Sequence, residues 1–334
     1  MRRALALVSF ALVAGLLAGA CGSSRDALTI YSGRTGNLVG PLLDQFAEET
    51  GTDIDVKYGD SAELALLISE EGDATPADVF YAQNPGAVAF LGDEGLLAEL
   101  PTDLLEAVPA AFRSEAGRWV GVTGRQRVLV YNRDLIDESD LPSSVFDVTD
   151  PRYEGMVGVA PQNGSFQDFV SAMILSEGEE RTLEWLDALA ANGARTYANN
   201  NAIVDAVSRG EIEMGLVNHY YNHRFLAEDP DLPSRNHRFD GTDLGNLVIT
   251  SSASIVAGTD KPEAAEEFIA FLLSEQAQQY FRQQTFEYPV AAGIDPSDEL
   301  PAIDTSQLPD VSFDDLGETL RRTTELIAES DLDR

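Results

Sequence analysis

The chain has 334 residues, which is more than a single small core usually organises, so two lobes are expected. Hydrophobic residues at 44% and charged residues at 24% are typical of a soluble globular protein. The formal net charge of −35 disfavours nucleic acid and anionic lipid surfaces as partners, and it favours the attraction of cations.

The N-terminal residues have the pattern of an export signal. Arg2 and Arg3 form a positive start, and an apolar run follows over residues 4–20. This run is short for a membrane span, and no later apolar run is long enough to cross a bilayer. We therefore predict that residues 1–20 are a signal peptide and that the mature protein lies outside the cytoplasm.

The end of this signal resembles the lipobox of bacterial lipoproteins. The sequence LAGAC ends at Cys21, with alanine at the position where leucine usually precedes the cysteine. Acyl chains on Cys21, the only cysteine, would anchor the protein to a membrane that it does not span. Residues 21–26 then form a short tether. The alternative is a plain secretory signal, because Ala18 and Ala20 also fit an A-x-A cleavage site.

Residues 28–82 alternate short β-like runs with amphipathic helices. The predicted elements are strand 28–32, helix 37–50, strand 53–58, helix 60–72 and strand 77–82. Asp60 and Glu63 resemble a capping box at the start of the second helix. This β-α-β-α-β order implies a parallel sheet wrapped by helices.

The rest of the chain repeats this alternation after strands that cross between two units. Crossing strands are predicted at 119–123 and 127–131, and returning strands at 246–250 and 254–257. The second unit comprises strand 156–160, helices 166–177 and 180–192, strand 195–198, helix 202–209 and strand 213–218; C-terminal helices follow at 261–273, 275–284 and 313–329. We predict an α/β fold with 27–124 and 251–300 as lobe 1, and 125–250 and 301–334 as lobe 2.

Candidate binding residues follow the strands, because ligands of open α/β sheets bind at the carboxyl ends of strands. Four loops fall there, at residues 33–36, 83–84, 162–165 and 218–221. The last contains two adjacent tyrosines, Tyr220 and Tyr221. Trivalent iron is a hard acid that prefers anionic oxygen, and phenolate supplies it once the metal displaces a proton with a pKa of about 10. The alternative is that each tyrosine is buried through its ring, with its hydroxyl hydrogen-bonded.

Several stretches, in matching order over the mature chain, resemble the ferric-ion-binding proteins of ABC importers. They are LTIYSG at 28–33, EGDATPADVFY at 71–81, GRQRVLVY at 124–131, NHYY at 218–221 and EYP at 287–289. The resemblance implies a bilobal periplasmic-binding-protein fold of type II in a monomer that binds solute and is not an enzyme. It also implies Tyr220 and Tyr221 as Fe(III) ligands, carbonate or phosphate as a synergistic anion, and an ABC permease with its ATPase as partners.

The same resemblance places weak iron ligands at the other family positions. Thr35 stands where the family has a histidine ligand, and Gln83 where it has a glutamate. A third tyrosine of another branch is replaced by Asn163. We expect Thr35 and Gln83, with Arg34 and Asn84, to face the metal from the first lobe, with water in the open positions.

The positions that hold the anion are retained. Asn163, Gly164 and Ser165 resemble the family's small-residue loop that opens a helix, and helix N-termini bind anions through their free N–H groups. Asn200 and Asn218 fit two anion-contacting asparagines of the family. This loop and these asparagines are therefore the predicted anion site.

Three arginines are candidates for balancing the charge of the anion or of the phenolates. They are Arg34, Arg125 and Arg127, although a single arginine is more often part of a surface ion pair.

Two alternatives remain open from the sequence. The first is a protein of the same fold that binds an organic anion such as a sulfonate, a phosphonate or a polyol phosphate. The second is a zinc protein or hydrolase, because His219 and His223 are spaced to share one helix face. The sequence lacks an H-E-x-x-H motif and a G-x-S-x-G motif, which disfavours this second class.

Overall fold

The computed structural model describes residues 27–294, 300 and 303–333. The predicted signal peptide at 1–20, the lipidation site Cys21 and the tether at 21–26 lie outside the described residues. Within the described part of the chain, no helix combines the length and the apolar character that crossing a membrane requires.

The strands occur in the predicted order. They are β1 (Leu28–Ser32), β2 (Ile54–Tyr58), β3 (Val79–Ala82), β4 (Val120–Asn132), β5 (Val157–Val159), β6 (Arg195–Thr196), β7 (Met214–Asn218), β8 (Ser234–His237), β9 (Val248–Ile255) and β10 (Tyr288–Pro289). The sequence pattern does not predict β8 or β10, which are short and both pair with β4.

The helices alternate with these strands along the chain. They are α1 (Gly36–Thr50), α2 (Ser61–Glu71), α3 (Pro85–Asp93), α4 (Thr102–Glu106), α5 (Gly164–Glu177), α6 (Glu179–Ala191), α7 (Asn200–Ser208), α8 (His219–Glu228), α9 (Pro262–Leu273), α10 (Glu275–Tyr280) and α11 (Leu316–Glu329). Three of them, α3, α4 and α8, are absent from the sequence-based prediction. Beyond α10 the predicted helix continues as one π-helical turn, Phe281–Thr285.

The strands form one mixed sheet in the order β2-β1-β3-β9-β4-β7-β5-β6. Strand β1 pairs in parallel with β2 and β3, and β5 pairs in parallel with β6 and β7. Strands β9 and β4 lie between these two parallel groups and run antiparallel to their neighbours. The molecule therefore has two α/β halves, and β4 with β9 connects them.

The crossing strands are longer than the sequence indicates. The predicted strands at 119–123 and 127–131 are one continuous strand, β4, and the two returning strands are likewise one strand, β9. Gly124, Arg125 and Gln126 interrupt the apolar pattern, yet they pair with Thr250, Ile249 and Val248 and are buried. These polar residues thus belong to a buried strand at the junction of the two halves. The hydrophobicity pattern cannot indicate their burial, because it identifies buried positions by apolar residues.

Aromatic side chains pack against one another in the interior of each half. In the first half, Phe46 contacts Phe268 edge to face, with ring centroids 5.1 Å apart. In the second, Trp185 contacts Phe166 and Phe169, with ring centroids 6.5 and 5.8 Å away. Trp119 and Trp185 are both buried. The predicted lobe boundaries stay a prediction, and α11 packs against both α3 and α5.

Candidate metal centre

A cleft of about 490 Å³ lies where the carboxyl ends of β1, β3, β5 and β7 converge. This is the place at which an open α/β sheet binds its ligand. The predicted site residues that line it are Thr35, Gln83, Asn84, Arg125, Asn163, Gly164, Ser165, Asn218, Tyr220 and Tyr221. Residues from both halves of the molecule therefore face one cavity.

The tyrosine pair occupies the first turn of α8. The prediction of a loop at 218–221 is wrong beyond Asn218, because the helix begins at His219, directly after β7. Tyr220 is 5% exposed and Tyr221 is half-buried, and their rings stack with centroids 4.1 Å apart. Both residues line the cleft, so the pair borders the cavity although the Tyr220 side chain is itself buried.

Burial raises the pKa of Tyr220 well above its ordinary value, and the neighbouring Tyr221 raises it further, whereas Arg125 opposes the shift. At neutral pH the Tyr220 hydroxyl therefore keeps its proton. A cation that binds here as a phenolate complex has to displace that proton, and binding is then coupled to proton release.

The loop before α5 is organised by asparagine side chains. Asn163 caps the helix, since its Oδ1 accepts the N–H of Ser165 at 3.1 Å and the Ser165 hydroxyl at 2.6 Å. Asn200 does not line the cleft, but its Nδ2 donates to Asn163 Oδ1 and Ser165 Oγ, both at 3.0 Å. A Cβ on Gly164 would meet no atom within 4 Å, so the space at this N-terminus is open. Asn200 thus positions the loop instead of facing the cavity.

Arg127 and Asn218 present buried hydrogen-bond donors beside this loop. Arg127 Nη1 donates to Asn218 Oδ1 at 3.1 Å and to Ser165 Oγ at 3.4 Å. Arg127 Nη2 and Asn218 Nδ2 are buried and have no hydrogen-bond partner among the described residues. Burial lowers the pKa of Arg127 to about 10, so the guanidinium stays charged at neutral pH. Unpaired buried donors are costly, and an oxyanion would satisfy them.

Arg125 and Gln83 make a contact at the base of the cleft. The guanidinium of Arg125 donates to the carbonyl of Gln83, and to the carbonyl of Thr250 at 3.4 Å. The N–H of Gln83 in turn donates to Ser61 Oγ at 2.8 Å. Thr35 begins α1 without a hydrogen bond from its side chain to the helix. The first half therefore offers neutral oxygen and amide groups to the cavity at these positions.

Arg34 lies beneath the cleft instead of facing it. Its guanidinium is 2.6 Å from the Glu287 carboxylate, and both side chains are buried. Glu287 also accepts hydrogen bonds from Thr123 at 3.2 Å and Thr285 at 3.1 Å. Burial works to lower the pKa of Arg34, but Glu287 outweighs it and the pKa stands above its ordinary value. The charge of Arg34 is thus already balanced within the protein.

Asp168 is a cleft residue that the sequence reasoning missed. It lies on α5, three residues after Ser165, and is 6% exposed. Residues three apart on a helix share a face, which is the signal that would have indicated it. Burial raises the pKa of Asp168 to about 6, while Arg125 works in the opposite direction.

The histidines do not form a zinc site. His219 Nδ1 accepts the N–H of Gln126 at 3.1 Å, so its proton is on Nε2, which donates to the carbonyl of Phe286 at 2.8 Å. Burial lowers the pKa of His219 to about 3, and both ring nitrogens are occupied. The described residues contain no group of three or more His, Cys, Asp or Glu side chains arranged to hold a metal ion.

Residues 74–319 match the family of bacterial extracellular solute-binding proteins. The chain belongs to this family. It is 32% identical over 312 residues to the major ferric iron-binding protein of Neisseria meningitidis serogroup B, covering 91% of this chain and 93% of that protein. It is 30% identical over 318 residues to the Fe(3+)-binding periplasmic protein of Serratia marcescens, covering 94% and 93%.

Among solved structures, iron-bound HitA from Pseudomonas aeruginosa superposes with a TM-score of 0.83 at 35% identity, covering 91% of this chain and 98% of that one. The expected two-lobed periplasmic-binding-protein fold is thereby confirmed, as is the resemblance to ferric-ion-binding proteins. As a member of an extracellular solute-binding family, the protein is a binding protein and not an enzyme.

Proposed function

We propose that this solute-binding protein captures ferric iron together with a synergistic anion and delivers it to the permease of an ABC importer. The observation that carries the proposal is the adjacent pair Tyr220 and Tyr221 lining a cleft between the halves of the sheet. The names of the relatives in Neisseria meningitidis and Serratia marcescens support the same cargo.

In this proposal the phenolate oxygens of Tyr220 and Tyr221 bind the ferric ion from the second lobe. Carbonate or phosphate binds at the N-terminus of α5, where Asn163, Gly164 and Ser165 form the loop. Two phenolates and a dianion carry four negative charges against the three of the metal. The guanidinium groups of Arg125 and Arg127 offset the one surplus negative charge.

The donors for the anion come from the strands that carry the site. Arg127 Nη2 and Asn218 Nδ2, which have no partner among the described side chains, complete the hydrogen bonding of the anion. Asn200 holds the loop in place, and Arg125 contributes charge from the base of the cleft. Thr35 and Gln83 face the metal from the first lobe, and water occupies the positions that they cannot fill. Arg34 is paired with Glu287 and adds no net charge to the site.

Proton competition sets the pH dependence of this binding. Because the pKa of Tyr220 is raised by burial, loading with iron releases its proton, and acid favours the protonated, metal-free form. Iron affinity is therefore expected to increase with pH and to fall as the pH is lowered.

The location of the protein follows from its N-terminus. Export by residues 1–20 and acylation of Cys21 would hold the protein at the outer side of the cell membrane, through lipid alone. It would work there as a monomer that meets the permease, while the ATPase is supplied by another chain. The division at residues 124 and 250 defines the two lobes in this proposal.

The test is a titration of the purified protein with ferric iron in carbonate or phosphate buffer. A phenolate-to-iron charge-transfer band in the visible range is expected for the unmodified protein, and Tyr220→Phe and Tyr221→Phe should each lose affinity and change the band. Tyr153→Phe is the matched control, because Tyr153 is also buried and its hydroxyl donates to the Asp140 carbonyl, outside the cleft. If Tyr220→Phe retains both band and affinity, the assignment is refuted. Heat of binding with a phosphonate but none with iron would favour the organic-anion alternative.

A further inference from the structure

Asn84 and Asp168 form a direct contact between the two halves of the molecule. Asn84 lies two residues after the end of β3, which pairs with β1 and β9. Asp168 lies on α5, which follows β5 on the other side of β4. The amide nitrogen of Asn84 is 3.2 Å from each carboxylate oxygen of Asp168. This hydrogen bond therefore crosses the cleft.

Asn84 makes this contact at the expense of a local one. It stands at the N-cap position of α3, where an asparagine side chain usually accepts an N–H of the first helical turn. No such capping bond is present, and the side chain turns to Asp168 instead. The local sequence favours capping of α3 by Asn84, so the direction of the Asn84 side chain is determined by its contact with Asp168 in the opposite half.

Asp168 depends on Asn84 in return. The carboxylate is 6% exposed, and Asn84 is the one described side chain that donates a hydrogen bond to it. A buried carboxylate that loses its donor is destabilised. Burial raises the pKa of Asp168 to about 6, and Arg125, the hydrogen bond from Asn84 and Arg127 work against this shift, so that the carboxylate is charged at neutral pH.

The distribution of cleft residues gives this contact a role. The phenolates and the anion loop all belong to the second half. The first half offers Thr35 and Gln83, which are weak ligands for a ferric ion, and the Asp60 carboxylate, whose Oδ1 already accepts the N–H groups of Ala62 and Glu63 at the start of α2. A ligand shifts a conformational equilibrium only by interacting differently with the two states. Metal ligation by the first half therefore supplies little of the free energy of closure, and protein contacts across the cleft have to supply it.

We propose that the Asn84–Asp168 pair is an interlobe latch that holds the two halves together over bound solute, with Asp168 acting as a positioning residue and not as a metal ligand. The role rests on the proposed function, since the solute in question is the ferric ion with its anion. The latch slows release of the cargo without belonging to its coordination shell.

The experiment uses the mature protein loaded with ferric iron and carbonate, and it follows release into an excess of a competing chelator. Asn84→Ala and Asp168→Ala should each accelerate release by about tenfold or more, as expected for the loss of a hydrogen bond to a charged group. The double variant should release iron no faster than the faster-releasing single variant, because both changes remove the same contact. The wavelength of the charge-transfer band should not move in any of them.

A swap variant tests the pair itself. Asn84→Asp combined with Asp168→Asn keeps an amide–carboxylate hydrogen bond across the cleft with the partners exchanged, and it should restore slow release. Glu71→Gln is the control, because this half-buried carboxylate accepts hydrogen bonds from Tyr31 and Thr75 on its own side of the molecule. Release from the control should match that of the unmodified protein.

Several results would overturn the latch. A shift of the band in Asp168→Ala would make Asp168 a metal ligand, and additive effects of the two single changes would show that the residues act separately. Unchanged release in both single variants would exclude any role. If the unmodified protein gives no band with iron, it is the proposed function that fails. Small-angle scattering then tests the latch alone, and both single variants should have a larger radius of gyration than the unmodified protein.

Discussion

The buried ion pair beneath the cleft makes a quantitative prediction about stability. Glu287→Ala would leave the Arg34 guanidinium, whose side chain is 1% exposed, without the carboxylate that lies 2.6 Å from it. It would also remove the acceptor for the hydroxyls of Thr123 and Thr285. Breaking a buried pair on one side usually costs about 3–5 kcal/mol, because an uncompensated charge stays in the interior. That is a large part of a total stability of roughly 5–15 kcal/mol.

The free energy of unfolding in urea is the quantity to measure. Trp119 and Trp185 are the only tryptophans and lie in different halves, so their fluorescence together with circular dichroism reports on the whole molecule. The matched control is Glu177→Ala, which removes the partner of the exposed Arg181 and should cost about 1 kcal/mol or less.

A double replacement separates the charge from the packing. Arg34→Met with Glu287→Leu removes both charges while keeping most of the volume, and it should recover much of the stability that Glu287→Ala loses. The reasoning is refuted if Glu287→Ala costs no more than Glu177→Ala. It is also refuted if the double replacement is as unstable as the single one.

Three further predictions concern the cleft. Arg127→Met should weaken iron binding and make the affinity less dependent on carbonate. Iron titrations with and without carbonate would measure this, and an unchanged dependence on carbonate would exclude the arginine from the anion site. The pKa of Asp168 is raised in the folded protein, so ionisation of this carboxyl lowers the free energy of unfolding. The protonated carboxyl makes its full contribution to stability below about pH 4, and this contribution is lost as the pH rises through about 6. Urea unfolding across this range should show that decline in the unmodified protein, and Asp168→Asn should flatten it. Asp60 caps α2, since its Oδ1 accepts the N–H groups of Ala62 and Glu63. Asp60→Ala should therefore lower the free energy of unfolding by about 1 kcal/mol, and Asp60→Asn should lower it less. Equal losses in the two variants would argue against capping.

Most of the fold could be predicted from the sequence, because the hydrophobic period is clear in most elements. The strand at 28–32 is predicted with its observed bounds, and the helix at 37–50 begins one residue earlier than predicted. The central strands are harder to predict, because Gly124, Arg125 and Gln126 interrupt the apolar pattern. Their burial is explained by the cleft above them, a tertiary feature that a local pattern does not contain.

The site could be predicted in part. The tyrosine pair and the loop at 163–165 were found because both follow strands and because the motifs resemble a known family. Helix α8 was missed, since neighbouring tyrosine, asparagine and histidine residues have modest helix propensity and packing decides the outcome. Arg34 and Glu287 are 253 residues apart, so their pairing is not visible in the sequence. Asp168 lies inside a helix, and the rule that ligands bind at strand ends indicates only the residues that follow a strand.

Strand β4 is continuous through the junction of the two halves, and this has a mechanical consequence. A change in the angle between the halves has to be absorbed by backbone rotation within β4 and its partner β9, near the bulge between Gly121 and Thr123. Arg125 and Arg127 follow within the same strand; Arg125 lines the cleft, and Arg127 contacts Ser165 and Asn218 beside it. The backbone that flexes and the backbone that carries the positive charges are therefore one segment. Bending β4 moves the two guanidinium groups relative to Tyr220 and Tyr221. A change in the angle between the halves therefore also changes the electrostatic potential in the cleft.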